Sequence, residues 1–417
     1  MKLNLFRAKI KKSKFLVLDI GTEAVKALFI SVQTLAEKKD SSKITILGAA
    51  IQYFEKYGVF NGRDFGVDII KKAVLKVIEG AYKNFIIFSK EKKIGIKEKN
   101  IKKLPVLLGL PANILKARVA WQSFERKELK KKISEEEQDF IYQECLKEAR
   151  KKISQRFAQK SGILPADIQW INQEIIEIKI DGYLVSELQE YKGKDIAIKI
   201  LATFLPKYYL ESIERVFKDL QLRIFKIVHI AENLHFIWGD KKIDSIFFDV
   251  GGEITQIFLV KGGSLYYIDE FDGGGKIFSL RLSDTLGIEE ELAKDLKERY
   301  TRRSLSAGSA ERIKEIFLQE KKIWYENLKI KIKEISQKIL LPSSIYLFGG
   351  GSLLPEIREV LQENKIGNNV DLSISNLPDV KLIYPEKLKN IDDSAKRLKS
   401  PQYIPSLLVS YYGKKIF

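Results

Sequence analysis

The chain has 417 residues, 45% hydrophobic and 31% charged, with a formal net charge of +18. That length accommodates two to four domain-sized units with substantial cores and excludes a disordered or fibrous chain. A single cysteine, Cys145, excludes an intrachain disulfide, and only two histidines, His229 and His235, exclude a Cys/His zinc cluster, so any chemistry rests on carboxylates, lysines, backbone amides and a metal.

Residues 1–13 form a basic leader, with Leu3, Leu5, Phe6 and Ile10 among Lys2, Arg7, Lys9, Lys11 and Lys12. It reads as a short surface-binding amphipathic segment or as a frayed terminus. Phe15-Leu16-Val17-Leu18 reads as a buried strand entering the turn Asp19-Ile20-Gly21-Thr22, and Ala27-Leu28-Phe29-Ile30 leaves it. Glycine removes the Cβ that would keep backbone away from a phosphate, so amides around Gly21 and Thr22 can form an anion-binding nest. Asp19 at the strand end can hold magnesium, and Lys26, seven residues on, can return a positive charge to the phosphates. Taken alone, the tetrapeptide is also an ordinary hairpin turn.

A helix is predicted over Val67–Ala81, a lysine-rich loop from Lys90 to Lys103, and a strand at Val106–Leu110. Ser134-Glu135-Glu136-Glu137 is a capping box that opens the next helix, in which Cys145 reads as a small buried side chain. Strands follow in Ile168–Ile180 and at Ile196–Ala202. After Pro206, Leu210, Ile213, Val216, Phe217 and Leu220 repeat at helical spacing as a core-facing stripe. His229 and His235 flank an apolar helical stretch and read as packing residues. Glu232 between them is a solvated helix acid or a group that orients an attacking water.

The second half repeats the opening pattern: Ile246-Phe247-Phe248 enters Asp249-Val250-Gly251-Gly252, and Ile257-Phe258-Leu259-Val260 leaves. From Phe278 to about Leu340 the pattern is helical, an inserted helical subdomain. Ile345-Tyr346-Leu347-Phe348 then enters Gly349-Gly350-Gly351-Ser352, with Pro355 suited to a first helical turn. Three glycines let a flat ring lie on bare backbone, although a lone Gly-Gly-Gly is also a common flexible loop. An apolar helix candidate, Ile404–Val409, precedes Lys414-Lys415-Ile416-Phe417.

In this order the three turns resemble the phosphate-one, phosphate-two and adenosine motifs of the actin, sugar-kinase and Hsp70 ATPases, and more closely those of the bacterial FtsA/PilM-type actin-like proteins. The resemblance covers nearly the whole chain. It includes Gly58-Val59-Phe60-Asn61-Gly62, and Val106-Leu107-Leu108-Gly109-Leu110-Pro111 ahead of the family's inserted SHS2-type subdomain. It also includes Gly273-Gly274-Gly275 followed by Leu286 to Glu291 and Lys294 to Lys297, similar to the family's glycine pair and glutamate/lysine helix at the adenosine end of the nucleotide.

That resemblance implies an α/β, actin-like (ribonuclease H-like) two-lobed ATPase fold with an inserted SHS2-type α+β subdomain. Lobe I would begin over 14–105, the insert would span 106–190, and 191–240 would return to lobe I with a connecting helix. Lobe II would begin over 241–277, carry a helical subdomain over 278–340 and end with 341–417. ATP and Mg2+ are the implied cofactors. Asp19 and Asp249 would position the metal and Glu232 the water; Gly21, Thr22, Lys26, Gly251, Gly252 and Thr255 would surround the phosphates; and Gly274, Glu291, Lys294, Gly349, Gly350, Gly351 and Ser352 the adenosine. Glu253 departs from the FtsA-like pattern, which usually has a glycine there. Turned inward, its carboxylate would repel the γ-phosphate and leave at most a slow ATPase.

The function implied is a nucleotide-switched cytoplasmic scaffold, peripheral at the inner membrane. The SHS2-like region and Gly58 to Gly62 make an FtsA-like role in cell division the main expectation, with a tubulin-like division protein as partner. Lys26 and the missing C-terminal tail support the alternative, a PilM-like role in type IV pilus assembly, with the cytoplasmic tail of a membrane protein as partner. Self-association and contact of the positive surface with an anionic membrane are further expectations. Nucleic acid is disfavoured, because no zinc finger, helix-turn-helix or aromatic-basic RNA motif is present. No apolar run reaches the ~18–20 residues that span a bilayer, and no signal peptide is evident. The membrane-targeting helix that FtsA proteins commonly add at the C-terminus has no room in this sequence. A small-molecule kinase of the same fold and a nucleotide-independent interaction scaffold are the alternatives.

Overall fold

The computed structural model describes residues 10–35, 42–55, 60–61, 64–92, 103–337, 339–363, 379–394 and 396–415. Most of the basic leader, most of the Gly58 to Gly62 segment and most of the lysine-rich loop lie outside these residues.

Lobe I opens as an antiparallel meander of β1 (Ile10–Ile20), β2 (Ala24–Leu35) and β3 (Lys43–Tyr53). Two short strands, β4 (Phe60–Asn61) and β5 (Asp64–Phe65), pair with each other before α1 (Val67–Lys92), which packs on β3 and β2. Strand β6 (Val106–Gly109) then runs parallel to β1.

The insert follows as β7 (Lys116–Glu125), α2 (Glu135–Ser161), β8 (Ile168–Ile180), β9 (Tyr183–Val185) and β10 (Asp195–Pro206), a four-stranded sheet in the order β7-β10-β8-β9. Ser134 caps α2 by accepting from the Glu137 amide, but the Glu137 carboxylate is gripped by Arg126, so only half of the expected capping box forms. Cys145 is buried on α2, and burial pushes its thiol up to about 11, as a packing role requires. Helix α3 (Lys207–Asp219) carries the expected apolar stripe, and β11 (Ile224–Ile227) returns beside β6.

Lobe II comprises β12 (Ser245–Val250), β13 (Ile254–Lys261), β14 (Ser264–Asp272), three helices α4 (Gly275–Leu286), α5 (Glu290–Thr301) and α6 (Ala307–Ser336), then β15 (Ser344–Phe348), α7 (Pro355–Glu363) and β16 (Asp379–Leu382). The chain finishes on lobe I. Strand β17 (Ile391–Asp392) adds in parallel to β3, α8 (Ile404–Ser410) packs on β1, β2 and β6, and α9 (Tyr412–Lys415) ends the described residues.

The two main sheets are the same object twice. Lobe I has the order β3-β2-β1-β6-β11 and lobe II the order β14-β13-β12-β15-β16, with the same antiparallel and parallel pairings at each position. Strands β1 and β12 occupy equivalent central places, and each ends in an Asp/Gly turn.

Three expected boundaries move. Strand β6 lies in the lobe I sheet rather than in the insert, β10 lies in the insert's sheet rather than in the lobe I return, and the end of the chain from β17 onward joins lobe I rather than lobe II. An apolar run specifies a buried strand but not the sheet that receives it. One apolar cluster joins all three units, with Val17 and Leu107 of lobe I, Ala117 and Leu201 of the insert, and Phe247 and Phe258 of lobe II.

Packing of α1 on β3 is close at Gly48, where an added Cβ would overlap the Ala81 carbonyl. Gly48→Ala is expected to lower the urea unfolding midpoint by the equivalent of roughly 1–3 kcal/mol. Gly308, at the start of α6 with open space around it, should give the opposite sign on substitution by alanine, a gain of about 0.5–1 kcal/mol. Equal effects at the two positions would contradict this account of the packing.

Candidate functional site

The equivalent strands β1 and β12 deliver Asp19 and Asp249 to one place. Each following turn closes on itself, Gly21 donating to the Ala24 carbonyl at 2.8 Å and Gly251 to the Ile254 carbonyl at 3.0 Å. The two turns touch: the Glu253 amide donates to Thr22 Oγ1 at 3.2 Å, and a Cβ on Gly252 would come within 2.6 Å of that same oxygen. The third turn closes over them. Gly349 has φ +88°, and a Cβ there would overlap Oδ1 of Asp249, while one on Gly351 would sit 2.8 Å from the Gly251 carbonyl.

The start of α4 braces the second turn from behind, with Gly275 and Lys276 donating to the carbonyls of Gly251 and Gly252 at 2.9 and 2.8 Å. Between the lobes lies a cleft of about 380 Å³. Asp19, Gly21, Thr22, Lys26, Asp249, Gly251, Gly252 and Gly349 to Gly351 all line it.

The electrostatics of the cleft are uneven. Lys26 lies 3.2 Å from Asp19, which also accepts from Ser406 Oγ at 2.8 Å. Burial pushes the Asp249 carboxyl up to about 7; the nearby Asp19 charge adds to the rise and Lys26 opposes it. Glu253 is turned away from the cleft onto Lys276 at 2.6 Å, so the repulsion expected between it and a γ-phosphate does not arise.

Two cleft residues were not anticipated from the sequence as functional. His229 Nδ1 accepts from the Ala231 amide at 3.1 Å, which leaves the proton on Nε2; the Gln256 side-chain amide lies 3.1 Å from Nε2 and accepts that proton when its oxygen, rather than its nitrogen, is turned to the ring. Burial lowers the His229 pKa to about 3, so the ring is neutral. A signal for Gln256 was present: Asp249 stands opposite Gln256 in the β12–β13 ladder as Asp19 stands opposite Lys26 in the β1–β2 ladder.

Six expected site residues do not line the cleft. Thr255 and Gly274 sit behind the second turn, with Thr255 Oγ1 donating to the Gly273 carbonyl at 2.6 Å. Ser352 braces the third turn by donating to the Gly349 carbonyl at 2.7 Å. Glu291 is exposed, and the Lys294 ammonium lies 4.1 Å from the centre of the Tyr53 ring. The face of α5 that reaches the cleft lies further along the helix, at Lys297, Glu298, Thr301 and Arg302. Glu232 is buried, accepting from the His229 amide at 3.0 Å and from Asn172 at 2.8 Å, so it caps the segment Ile230–Ile237 and does not orient a water in the cleft.

These residues fit a polyphosphate bound with a divalent cation. A Cβ at Gly252, Gly349 or Gly351 would strike a neighbouring turn, so the turns meet through bare backbone, and Oε1 of Glu23, on the cleft wall, is buried without a hydrogen-bond partner. Among the described residues no three His, Cys, Asp or Glu side chains could hold a metal by themselves. Two carboxylates suit a magnesium ion that draws its other ligands from water and phosphate.

No protein-family model matches the sequence, and no curated protein matches it. Among solved structures the chain is similar to a PilM-PilN type IV pilus biogenesis complex, at 13% identity over 96% of this chain and 98% of that one, with a TM-score of 0.64. It is also similar to the ethanolamine utilization protein EutJ from Carboxydothermus hydrogenoformans, at 13% identity over 96% and 90% of the two chains and a TM-score of 0.44. A third is component A of the (R)-2-hydroxyglutaryl-CoA dehydratase of Acidaminococcus fermentans, at 12% identity over 97% and 98% with a TM-score of 0.39. The fold is the actin-like ATPase fold.

Asp249 is expected to weaken the ligand-free protein at neutral pH. Its folded-state pKa of about 7 exceeds the ordinary value of 3.8, so folding takes up a proton between those limits and stability falls as pH rises through them. Asp249→Asn should therefore stabilise the ligand-free protein on the order of 2 kcal/mol at pH 8 and much less at pH 5. Thermal unfolding at the two pH values measures this, and equal effects at both would refute it.

Proposed function

We propose that this chain is an ATP-binding scaffold of the actin-like class, peripheral at the cytoplasmic face of the membrane, whose nucleotide state alters its hold on a partner. One observation carries the reading: two carboxylate-bearing turns and a glycine turn, far apart in sequence, build one cleft with bare backbone on its walls. Asp19 and Asp249 would hold Mg2+, which would neutralise phosphate charge. Amides of Gly21, Thr22, Gly251 and Gly252 would hold phosphate oxygens, with Lys26 as a point charge. Gly349 to Gly351 on one side, and Thr301 and Arg302 on the other, would frame the base.

Neutral His229 and Gln256 offer a donor and an amide beside Asp249, suited to orienting a water without adding charge. Among the described residues the cleft carboxyl opposite Gln256 is Asp249, which this reading assigns to the metal, and the proposed ATPase is therefore slow. Two lobes that close on a ligand switch only as far as the ligand prefers one state, so binding suffices for the scaffold role.

The full-length likeness to PilM supports a PilM-like role in type IV pilus assembly, with the cytoplasmic tail of a membrane protein as the partner. The FtsA-like division role rests on the SHS2-like insert and on Gly58 to Gly62, most of which lies outside the described residues. Among those residues no helix is long and apolar enough to cross a membrane, consistent with attachment through a partner.

Calorimetry with ATP and Mg2+ tests the cleft: the wild type should bind, and Asp19→Asn should bind at least ~10-fold more weakly. Absence of heat in both would leave a nucleotide-independent scaffold. Titration with the pilus-protein tail and with the tubulin-like protein of the same genome, with and without nucleotide, distinguishes the two partner readings.

A further inference from the structure

The cleft wall continues as a row of side chains to the insert. Asp249 stands opposite Gln256 in the β12–β13 ladder, and Gln256 opposite Glu270 in the β13–β14 ladder. Directly opposed residues on antiparallel strands share a face and lie within contact range. Glu270 is then held from outside lobe II. Arg118 of β7 grips its two oxygens at 2.7 and 2.8 Å, and Lys116 adds a third contact at 3.0 Å.

The joint is mostly buried. Burial alone would raise the Glu270 carboxyl, yet Arg118 and Lys116 hold it well below the ordinary carboxylate range. Asp269 beside it faces Arg118 at 3.8 Å and Lys331 of α6 at 3.4 Å, so the cluster ties the insert, β14 and α6 together. Strand β14 also runs directly into Gly273 to Gly275, where the Gly273 amide donates to the Glu253 carbonyl at 2.8 Å and Gly275 braces Gly251. Glu270 therefore stands opposite Gln256 on one side and on the strand that runs into the second turn on the other.

We propose that Arg118 and Lys116 of the insert, acting through Glu270, position the Gln256–His229 pair on the cleft wall, so that the seating of the insert on β14 and the occupancy of the cleft are coupled. Occupancy rests on the ATP reading above; the positioning does not. Arg118 is a positioning residue, since it touches neither the cleft nor the groups that would hold a ligand. Its fork geometry is what locks a carboxylate in orientation as well as in place, which a lysine would not reproduce. A partner that pulls on the insert would reach the nucleotide site by this route, and the nucleotide would act on the partner reciprocally.

The test uses Arg118→Met/Glu270→Gln, which removes the forked pair together, leaving Asp269 with Lys331 and Lys116 beside the neutral glutamine, with Arg118→Lys as the conservative variant. The chain has two histidines, so a nitrogen-15 imidazole spectrum resolves them without further labelling. In the double variant the His229 Nε2 signal should shift or split while that of His235 stays in place, with a smaller change in Arg118→Lys. An unmoved His229 signal would overturn the positioning.

Hydrogen exchange then reads the coupling. In the wild type, ATP with Mg2+ should slow exchange in β13 and in β7; the double variant should keep the first and lose the second. Protection of β7 that persists in the double variant, or that is missing from a wild type whose β13 is protected, overturns the coupling. If ATP protects nothing in the wild type, it is the nucleotide reading that fails, and the His229 signal still decides the positioning.

Discussion

The approach of three backbone turns to one another, too close for any side chain between them, is the constraint on which the site depends. Gly251 is its centre. Its carbonyl accepts from Gly275 and lies against Gly351, while its neighbour Gly252 presses on Thr22 of the other lobe. Because no Cβ intervenes at these turns, main-chain groups share the walls with side chains, and their dipoles are fixed by the sheets behind them. The repeated sheet order makes this convergence possible: the same central strand occurs in each lobe and ends at the same place.

The contacts that join the lobes differ in kind from floor to mouth. At the floor, aromatic and aliphatic side chains of both lobes and the insert share one dry cluster, with Phe247, Phe258 and Phe348 fully buried. Exposing such surface costs about 25 cal/mol per Å², so the floor acts as a fixed edge. At the mouth the contacts are polar: Thr22 with the Glu253 amide, Glu23 with Lys297 at 3.8 Å, and Lys294 against Tyr53. These contacts are themselves buried, with Thr22, Lys294 and Lys297 each less than a tenth exposed, so polar as well as apolar contacts hold the lobes together.

Much of this was legible in the sequence because its signals are local. An apolar run, Asp, Gly and a second apolar run define a hairpin wherever they occur, and the three turns were read before any fold was known. What escaped was non-local. Nothing in Val106–Gly109 or Asp195–Pro206 indicates which of two sheets will take the strand. The useful face of α5 depends on how the helix rolls against lobe I, which put Lys297 and Thr301 rather than Glu291 at the cleft. Glu232 was misread for a different reason. The backbone of its segment forms a 3-10 turn capped by His229, so the acid folds back onto its own chain, whereas a regular helix would have presented it outward.

The paired hairpins also differ in how they hold charge. Their seventh residues diverge, lysine at position 26 in lobe I and glutamine at 256 in lobe II, at equivalent places in the two ladders. Asp19 consequently has its own ammonium at 3.2 Å, but Asp249 stands opposite a neutral amide and sees Lys26 only across the cleft. Burial then dominates, and Asp249 holds a proton far above the ordinary carboxylate range. A lysine at 256 would have satisfied it permanently and filled the space. With glutamine opposite it, Asp249 lacks the ion pair that Lys26 gives Asp19. The asymmetry thus leaves the uncompensated carboxyl on the lobe II side, opposite Gln256.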